Sequence, residues 1–185
     1  EIINNDKGEI IIDMGQNMAG WIQMKINAPK DFEVVVEHCE ILQKGQFYNG
    51  NIGVGLEQFR FISNGKEQIV SPHFTYYGFR YARLTKWSGP VNIDDFVGCV
   101  VYSDLEIAGQ IFTGEMSVNK LISNCFWSQK DNFLDVPTDC PQRAERLGWT
   151  GDAQIFCKTA MFNMDCYAFF RKFLKDLYQH QLRDD

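Results

Sequence analysis

The first hundred residues alternate short apolar runs with turn-forming residues. The segment GWIQMKIN at 20–27 places apolar and polar side chains on opposite faces, a period of two residues that is typical of a half-buried strand. Other runs rich in β-branched and aromatic residues predict strands at 9–14, 33–39, 59–63, 79–85 and 97–103, the last of them buried. Gly15, Asn49-Gly50 and Asn64-Gly65 predict turns. Many short strands without intervening helices predict an antiparallel β-sandwich.

After about residue 113 the apolar residues follow a helical period. The face of a first helix is predicted from Val118, Leu121, Ile122, Cys125, Phe126 and Phe133. The stripe of a second is predicted from Tyr167, Phe170, Leu174 and Leu177, widened by Phe169 and Phe173. A loop is predicted at 135–152, with helix resuming near Ala153. Because two or three helices cannot enclose such wide apolar faces, we expect this half to begin a larger helical domain.

Charge and hydropathy exclude two classes of partner. The formal net charge of -6 and the lack of a basic face argue against a nucleic-acid partner. No apolar run approaches the roughly 20 residues needed to span a bilayer, so no membrane partner is expected. The sequence opens without Met or a signal peptide and stops inside a helical pattern. We therefore expect a piece of a longer protein, and the sequence does not predict its compartment.

The cysteines and histidines do not predict a reactive or metal centre. Six cysteines are spread without a Cys-x-x-Cys pair, and we expect them to be buried and reduced. His38 and Cys39 would point to opposite faces of a strand, which argues against zinc. Cys140 has no histidine near it in sequence, so a thiol nucleophile paired with His38, His73 or His180 is disfavoured. No cofactor or metal is expected.

Three weaker candidates have ordinary structural explanations. The aromatic residues of the strand-rich half could form a carbohydrate-binding platform, but their positions favour core packing. They are Trp21, Phe74, Tyr76, Tyr77, Phe79 and Tyr81. GNIGVG at 50–55 does not lie at a strand-to-helix turn, so a mobile hairpin loop is favoured over a phosphate site. Asp94-Asp95 and Asp184-Asp185 are expected to be surface acids, with calcium binding left open.

The segment DCPQRAERLGWTGD at 139–152 concentrates the chain's candidate chemistry. It gathers three acids, two arginines and a tryptophan in a stretch broken by proline and glycine. Carboxylates accept hydrogen bonds from sugar hydroxyls, arginines hold carboxylates, and an indole packs on a pyranose face. Alternatively, the same charges could form a buried ion-pair network that pins a long connection. The residues alone leave both interpretations open.

The extended segment DCPQRAERLGWTGDAQIF closely resembles the characteristic motif of bacterial α-L-rhamnosidases, glycoside hydrolase family 78. Further similarity, in the family's order, covers 12–26, 73–84, 100–105, 127–143 and 163–177, which is nearly the whole chain. The resemblance implies an enzyme that hydrolyses terminal α-L-rhamnose with inversion, built from a β-sandwich and an (α/α)6 barrel. The sandwich would be residues 1–108, and 109–185 would be the truncated start of the barrel. Its implied partner is a rhamnose-containing carbohydrate.

The resemblance also implies roles for individual residues. Glu145 matches the family's general acid, and Asp139 and Asp152 match carboxylates that bind the rhamnose hydroxyls. Trp149 matches an aromatic residue of the sugar pocket. Arg143 is expected in substrate binding, and Arg146 lies in the same motif with a less defined role.

Two departures from the family affect what this chain can do. Ala144 stands where the family usually has Asp, between the Arg and the Glu. The family's catalytic base is a Glu beyond Asp185, so we expect this fragment to be inactive, with helix faces exposed that could mediate self-association. The alternatives are a non-catalytic carbohydrate-binding or scaffolding relative, and a purely structural protein–protein module.

Overall fold

A computed structural model describes residues 1–53 and 57–181 of the chain. Two predicted features lie outside these residues: the end of the glycine-rich segment 50–55, and Asp184-Asp185. The chain divides into two compact units, the first formed by 1–101 with 141–144, the second by 102–140 and the residues from 145 onward. None of the described helices is long and apolar enough to cross a bilayer.

The first unit is an antiparallel β-sheet structure. Its strands are β1 (Ile2–Asn4), β2 (Ile10–Ile26), β3 (Glu33–Cys39), β4 (Ile41–Gln43), β5 (Gln46–Tyr48), β6 (Gln58–Ile62), β7 (Gln68–Val70), β8 (Tyr77–Lys86) and β9 (Phe96–Val100). Seven of them form one sheet of order β1-β2-β8-β3-β6, in which β7 and β9 also pair with β2. The pair β4-β5 forms a separate ribbon. The predicted antiparallel β-sheet domain is therefore confirmed.

The turn predicted at Gly15 is wrong, because the longest strand continues through this residue. β2 runs continuously through this position, and its pairing with β8 shifts register between Asp13 and Met18. Gly15 has a φ of 80°, and its N–H donates to Asp13 Oδ1 at 2.7 Å. A residue of positive φ inside a strand forms a bulge that bends the strand without ending it. The bulge separates the part of β2 that pairs with β1 from the part that pairs with β9 and β7.

The core of the sheet unit lies around β3 and β8. Val34, Val35, Val36 and Cys39 of β3 are all at most 2% exposed, so both faces of this strand are covered. A strand covered on both faces is expected to be continuously apolar, and the run EVVVEHC fits this expectation.

The predictions for aromatic residues and for the last strand are only partly correct. Tyr77 and Phe79 are buried core residues as predicted, but Phe74 is fully exposed in the segment before β8. β9 was predicted to be buried, yet Val97 and Val100 are exposed. Within the described residues β9 pairs only with β2, so it is an edge strand with one side uncovered.

Arg83 joins two acidic residues on the sheet. Its Nη1 lies 2.6 Å from Glu9 Oε1, and its Nη2 lies 2.6 Å from Glu37 Oε2. Burial alone would raise the pKa of Glu9 and of Glu37. Hydrogen bonds from Asn5 and Arg83 to Glu9, and from Thr85 and Arg83 to Glu37, outweigh burial and leave both pKa values lowered. The two carboxylates therefore stabilise the fold in their charged form.

We expect Arg83→Met to destabilise the protein by about 1–3 kcal/mol, since it leaves two partly buried carboxylates without their shared cation. Both pKa values are lowered on folding, so their contribution is present above the ordinary carboxyl pKa and is lost as the pH falls through the lowered values. The defect should accordingly shrink in acid. Urea unfolding at neutral and acidic pH measures it. The control is Arg60→Met, which removes a largely exposed pair with Glu33 and should cost much less stability. Equal losses in the two variants would contradict the prediction.

The second unit consists of helices joined by a small hairpin. Its elements are α1 (Met116–Asn132), β10 (Phe133–Leu134), β11 (Val136–Pro137), α2 (Thr150–Asn163) and α3 (Tyr167–Gln181). Glu115 caps α1, because its side chain accepts the Ser117 N–H at 3.3 Å. The middle helix starts at Thr150, before the predicted resumption near Ala153. Trp149 precedes it with extended backbone geometry.

Aromatic rings and one polar network form the core of this unit. Phe133 stacks on Phe169 with ring centroids 4.4 Å apart. Gln129, 1% exposed, accepts the Asn163 amide at 2.9 Å and donates to the Ala160 carbonyl at 3.2 Å. These bonds join α1 to α2 without leaving the buried amide groups unpaired.

The apolar stripe of α3 differs from its prediction. Phe169 and Phe173 are buried, whereas Tyr167 and Leu174 are 71% and 63% exposed. The sequence period located the helix correctly but did not tell which side of a wide stripe is covered.

All six cysteines are free thiols, as expected. Only Cys39 and Cys166 are fully buried, and burial raises the pKa of each thiol to about 11. The other four are only partly buried, so the expectation of burial is wrong for them.

Candidate functional site

The acidic loop begins where the β10-β11 hairpin ends, and hydrogen bonds close it at its base. The Thr138 N–H and Oγ1 both donate to the Asn132 carbonyl, at 2.8 and 2.9 Å. Thr138 also forms an isolated bridge with Gly148. At the next pair of residues into the loop, the Asp139 N–H donates to the Leu147 carbonyl at 3.1 Å. The two ends of the loop therefore run side by side.

This closure brings Asp139 and Glu145 together, although six positions separate them in sequence. The Cys140 N–H donates to the Glu145 carbonyl at 3.4 Å. One carboxylate oxygen of Asp139, the Cys140 thiol and one carboxylate oxygen of Glu145 all lie within 4.8 Å of one another. Each of the three residues is partly buried. Such a group could hold a cation, and its two carboxyl groups could equally act on a polar substrate.

Asp139 and Asp152 line the same cavity. It has a volume of about 180 Å³. Asp152 lies in the first turn of α2, where the helix dipole favours a negative charge. Phe156 and Phe170 supply apolar walls. A small cavity with two carboxylates on an apolar lining suits a compact ligand that carries several hydroxyl groups.

Sequence reasoning did not predict the other polar residues that line this cavity, which are Ser128, Gln129, Asn132 and Thr138. Asn132, the last residue of α1, lines it beside Asp139. Its Nδ2 donates to the Ser128 carbonyl at 2.8 Å, whereas its buried Oδ1 has no hydrogen-bond partner among the described residues. No pattern in the sequence marks this position, because a helix-terminal Asn ordinarily faces solvent.

The remaining predicted residues lie apart from this cavity. Trp149 is 47% exposed and does not line it. Arg143 belongs to the segment 141–144, which groups with the first unit. Arg146 lines a different cavity of about 450 Å³, beside Leu147 and the end of α3. The structure thus brings Asp139 close to Glu145 and places Asp139 and Asp152 in the lining of one cavity, which Glu145, Trp149 and Arg143 do not line.

A buried ion-pair network, the alternative interpretation, would not include every acid of the segment. Asp139 and Glu145 are only partly buried, and Asp152 is exposed. A network that merely pins the loop would not need Asp152 at the wall of an open cavity.

Comparison with known proteins identifies the family. A model described as the bacterial alpha-L-rhamnosidase concanavalin-like domain matches residues 3–102. A second, described as the bacterial alpha-L-rhamnosidase 6 hairpin glycosidase domain, matches residues 106–185. The two matches cover the sheet unit and the helical segment in turn.

Individual relatives agree with these matches. An alpha-L-rhamnosidase of Streptomyces avermitilis is 35% identical over 179 residues, which are 96% of this chain and 17% of the relative. The crystal structure of an α-L-rhamnosidase from Aspergillus terreus superposes with a TM-score of 0.94 at 35% identity, over 99% of this chain and 22% of that one. The structure of the Streptomyces avermitilis enzyme complexed with L-rhamnose gives a TM-score of 0.92 at 34% identity, over 96% and 18%.

The chain therefore spans about a fifth of the length of these relatives. It matches them in both of its units and along nearly its whole length, with the β-sheet domain and the following helices in the same order. This confirms the resemblance found in the sequence. The chain belongs to the bacterial α-L-rhamnosidase family.

Proposed function

We propose that this chain forms the sheet domain and the acid-bearing first helices of an inverting α-L-rhamnosidase. The observation that supports it most directly is the close approach of the Asp139 and Glu145 carboxylates, together with the cavity that Asp139 and Asp152 both line. Glu145 donates a proton to the glycosidic oxygen, while Asp139 and Asp152 accept hydrogen bonds from the rhamnose hydroxyls. Trp149 and Arg143 complete the sugar pocket in the intact protein.

The short distance between two acids limits which residue can be the base. In inverting glycosidases the acid and the base lie about 6.5–9.5 Å apart, leaving room for the attacking water. Atoms of Asp139 and Glu145 lie within 4.8 Å of each other, which suits a substrate-binding partner better than the base. The family resemblance implies a base further along the intact protein, so we expect this chain alone to release no rhamnose.

The proposal includes a domain boundary near residue 108, with a sandwich at 1–108 and the helical domain from 109. The division into compact units falls after residue 101, and the two family matches meet between 102 and 106. Both divisions lie a few residues before the proposed boundary, in the segment that follows β9.

Rhamnose release by the intact protein tests the function. With an unactivated α-L-rhamnoside we expect rhamnose as the product, first in the β configuration that inversion requires, as followed by NMR of the anomeric proton. First release of the α anomer would contradict the inverting mechanism.

One observation favours a second candidate, a non-catalytic carbohydrate-binding relative. Ala144 is an exposed small residue beside Glu145, where the family motif usually carries an acid. Calorimetric binding of rhamnose by the intact protein, without release from any rhamnoside, would favour this candidate over the enzyme.

A further inference from the structure

Two adjacent residues of α3 reach the two ends of the loop that carries Asp139 and Glu145. Lys172 Nζ donates to Asp135 Oδ2 at 2.8 Å and to the Asp135 carbonyl at 3.3 Å. Asp135 forms the tight turn between β10 and β11, shortly before the loop begins. Lys172 therefore holds the leading end of the loop.

Phe173, the next residue, packs against the trailing end. Its ring is 5% exposed and lies against Gly148. A Cβ built on Gly148 would lie 2.6 Å from Phe173 Cε2 and 3.4 Å from Val136 Cβ. The first distance is too short for a real contact, so the ring can approach the loop this closely only because residue 148 is a glycine.

The turn held by Lys172 has an unfavourable backbone conformation. Asp135 has a φ of 66°, which residues with a side chain adopt rarely. Its N–H donates to Ser103 Oγ at 3.1 Å, and Lys172 binds both its carbonyl and its carboxylate. Lys172 forms a second ion pair with Asp176, one turn further along α3, with Nζ 2.9 Å from Asp176 Oδ2. The hydrogen bond that Lys172 donates to Asp135, and to a smaller extent the one it donates to Asp176, raise the pKa of the Lys172 ammonium group. This group therefore stays charged at neutral pH.

We propose that Lys172 and Phe173 are positioning residues, which fix the spacing of the Asp139 and Glu145 carboxyl groups through the two ends of their loop. The loop is closed by bonds across its base, so movement of either end is transmitted to the residues inside it. Proton transfer and substrate positioning are sensitive to shifts of about 1 Å. The consequence for catalysis rests on the proposed role of Glu145.

The test compares Lys172→Met with Lys172→Arg and with Lys175→Met in the intact protein. Lys175 is an exposed residue of the same helix and serves as the matched control. We expect kcat on an unactivated α-L-rhamnoside to fall about two- to threefold in Lys172→Met, because the ion pair is exposed and the acid is displaced only part of the time. A nitrophenyl rhamnoside, whose leaving group needs little protonation, should lose much less. Lys172→Arg should recover most of the rate, and Lys175→Met should leave both substrates unaffected.

Hydrogen exchange separates failure of the positioning role from failure of the proposed function. The Asp139 and Cys140 amides donate across the loop, so their exchange reports its closure without any substrate. Because the Lys172–Asp135 ion pair is exposed, we expect exchange to be only about two- to threefold faster in Lys172→Met and unchanged in Lys175→Met. If the intact protein releases no rhamnose, the proposed function fails, and the positioning role is then tested by hydrogen exchange alone. Unchanged exchange in Lys172→Met, or an equal loss of kcat on the two substrates, would overturn the positioning role.

Discussion

We expect replacement of Glu145 by glutamine in the intact protein to lower the rate of rhamnose release from an unactivated α-L-rhamnoside by about 100-fold or more. Glutamine keeps the size of the side chain but has no acidic proton to transfer to the leaving oxygen. Glu145 is partly buried, and its carboxylate lies within 4.8 Å of that of Asp139, so the residue is both shielded and next to the proposed sugar-binding group. Steady-state kinetics on two substrates checks the prediction.

The leaving group distinguishes an acid from a residue with a structural role. A nitrophenolate leaves with little protonation, so the loss on a nitrophenyl rhamnoside should be far smaller than the loss on the unactivated substrate. Glu106→Gln is the matched control, since Glu106 is exposed and precedes the helices. It should change neither rate. A loss of equal size on both substrates would show that Glu145 supports the fold of the loop rather than proton transfer.

The fold was predictable to the extent that local pattern determines it. Strands with alternating or continuous apolar residues, such as β3, were located within a residue or two, since their burial dictates their composition. Gly15 was misassigned because a glycine of positive φ serves a bulge as well as a turn, and only the pairing of β2 with β8 decides between them. The exposure of Val97 in β9 likewise depends on which partners a strand has.

The candidate site was likewise predictable from local sequence pattern but not where it depends on contacts between elements. The motif that contains Asp139, Glu145 and Asp152 could be located from its composition and its resemblance to a family, and the structure brings Asp139 close to Glu145 and into the cavity that Asp152 also lines. Asn132 and Lys172 could not be found in this way, because their relation to the loop depends on contacts between separate elements. Sequence reasoning therefore identifies candidate chemical groups better than the residues that hold them in place.

His38 shows how a residue with no proposed catalytic role can still control stability. Its imidazole is 2% exposed and stacks on the Tyr77 ring with a centroid distance of 4.0 Å. Nδ1 lies 3.1 Å from the Glu57 carbonyl, which can only accept, so this nitrogen carries the proton of the neutral ring. Burial lowers the pKa of His38 to about 4, because a charged imidazole would lose its hydration among aromatic side chains.

We expect His38 to reduce the free energy of unfolding by about 3 kcal/mol as the pH falls from 6.5 to 4. Between these pH values His38 binds a proton in the unfolded chain but not in the folded protein. The free energy of unfolding therefore decreases as the pH is lowered and levels off below about pH 4. His38→Phe keeps the stacking, and the Glu57 carbonyl retains its bond from the backbone N–H of residue 38 at 2.8 Å. Urea unfolding from pH 7 to 4.5 should therefore show a shallower loss in His38→Phe than in the parent, whereas His73→Gln, at an exposed position, should follow the parent. The carboxylates paired with Arg83 add their own loss only at lower pH and cancel in the comparison. If His38→Phe and the parent lose stability in parallel, the buried imidazole does not control stability in this range.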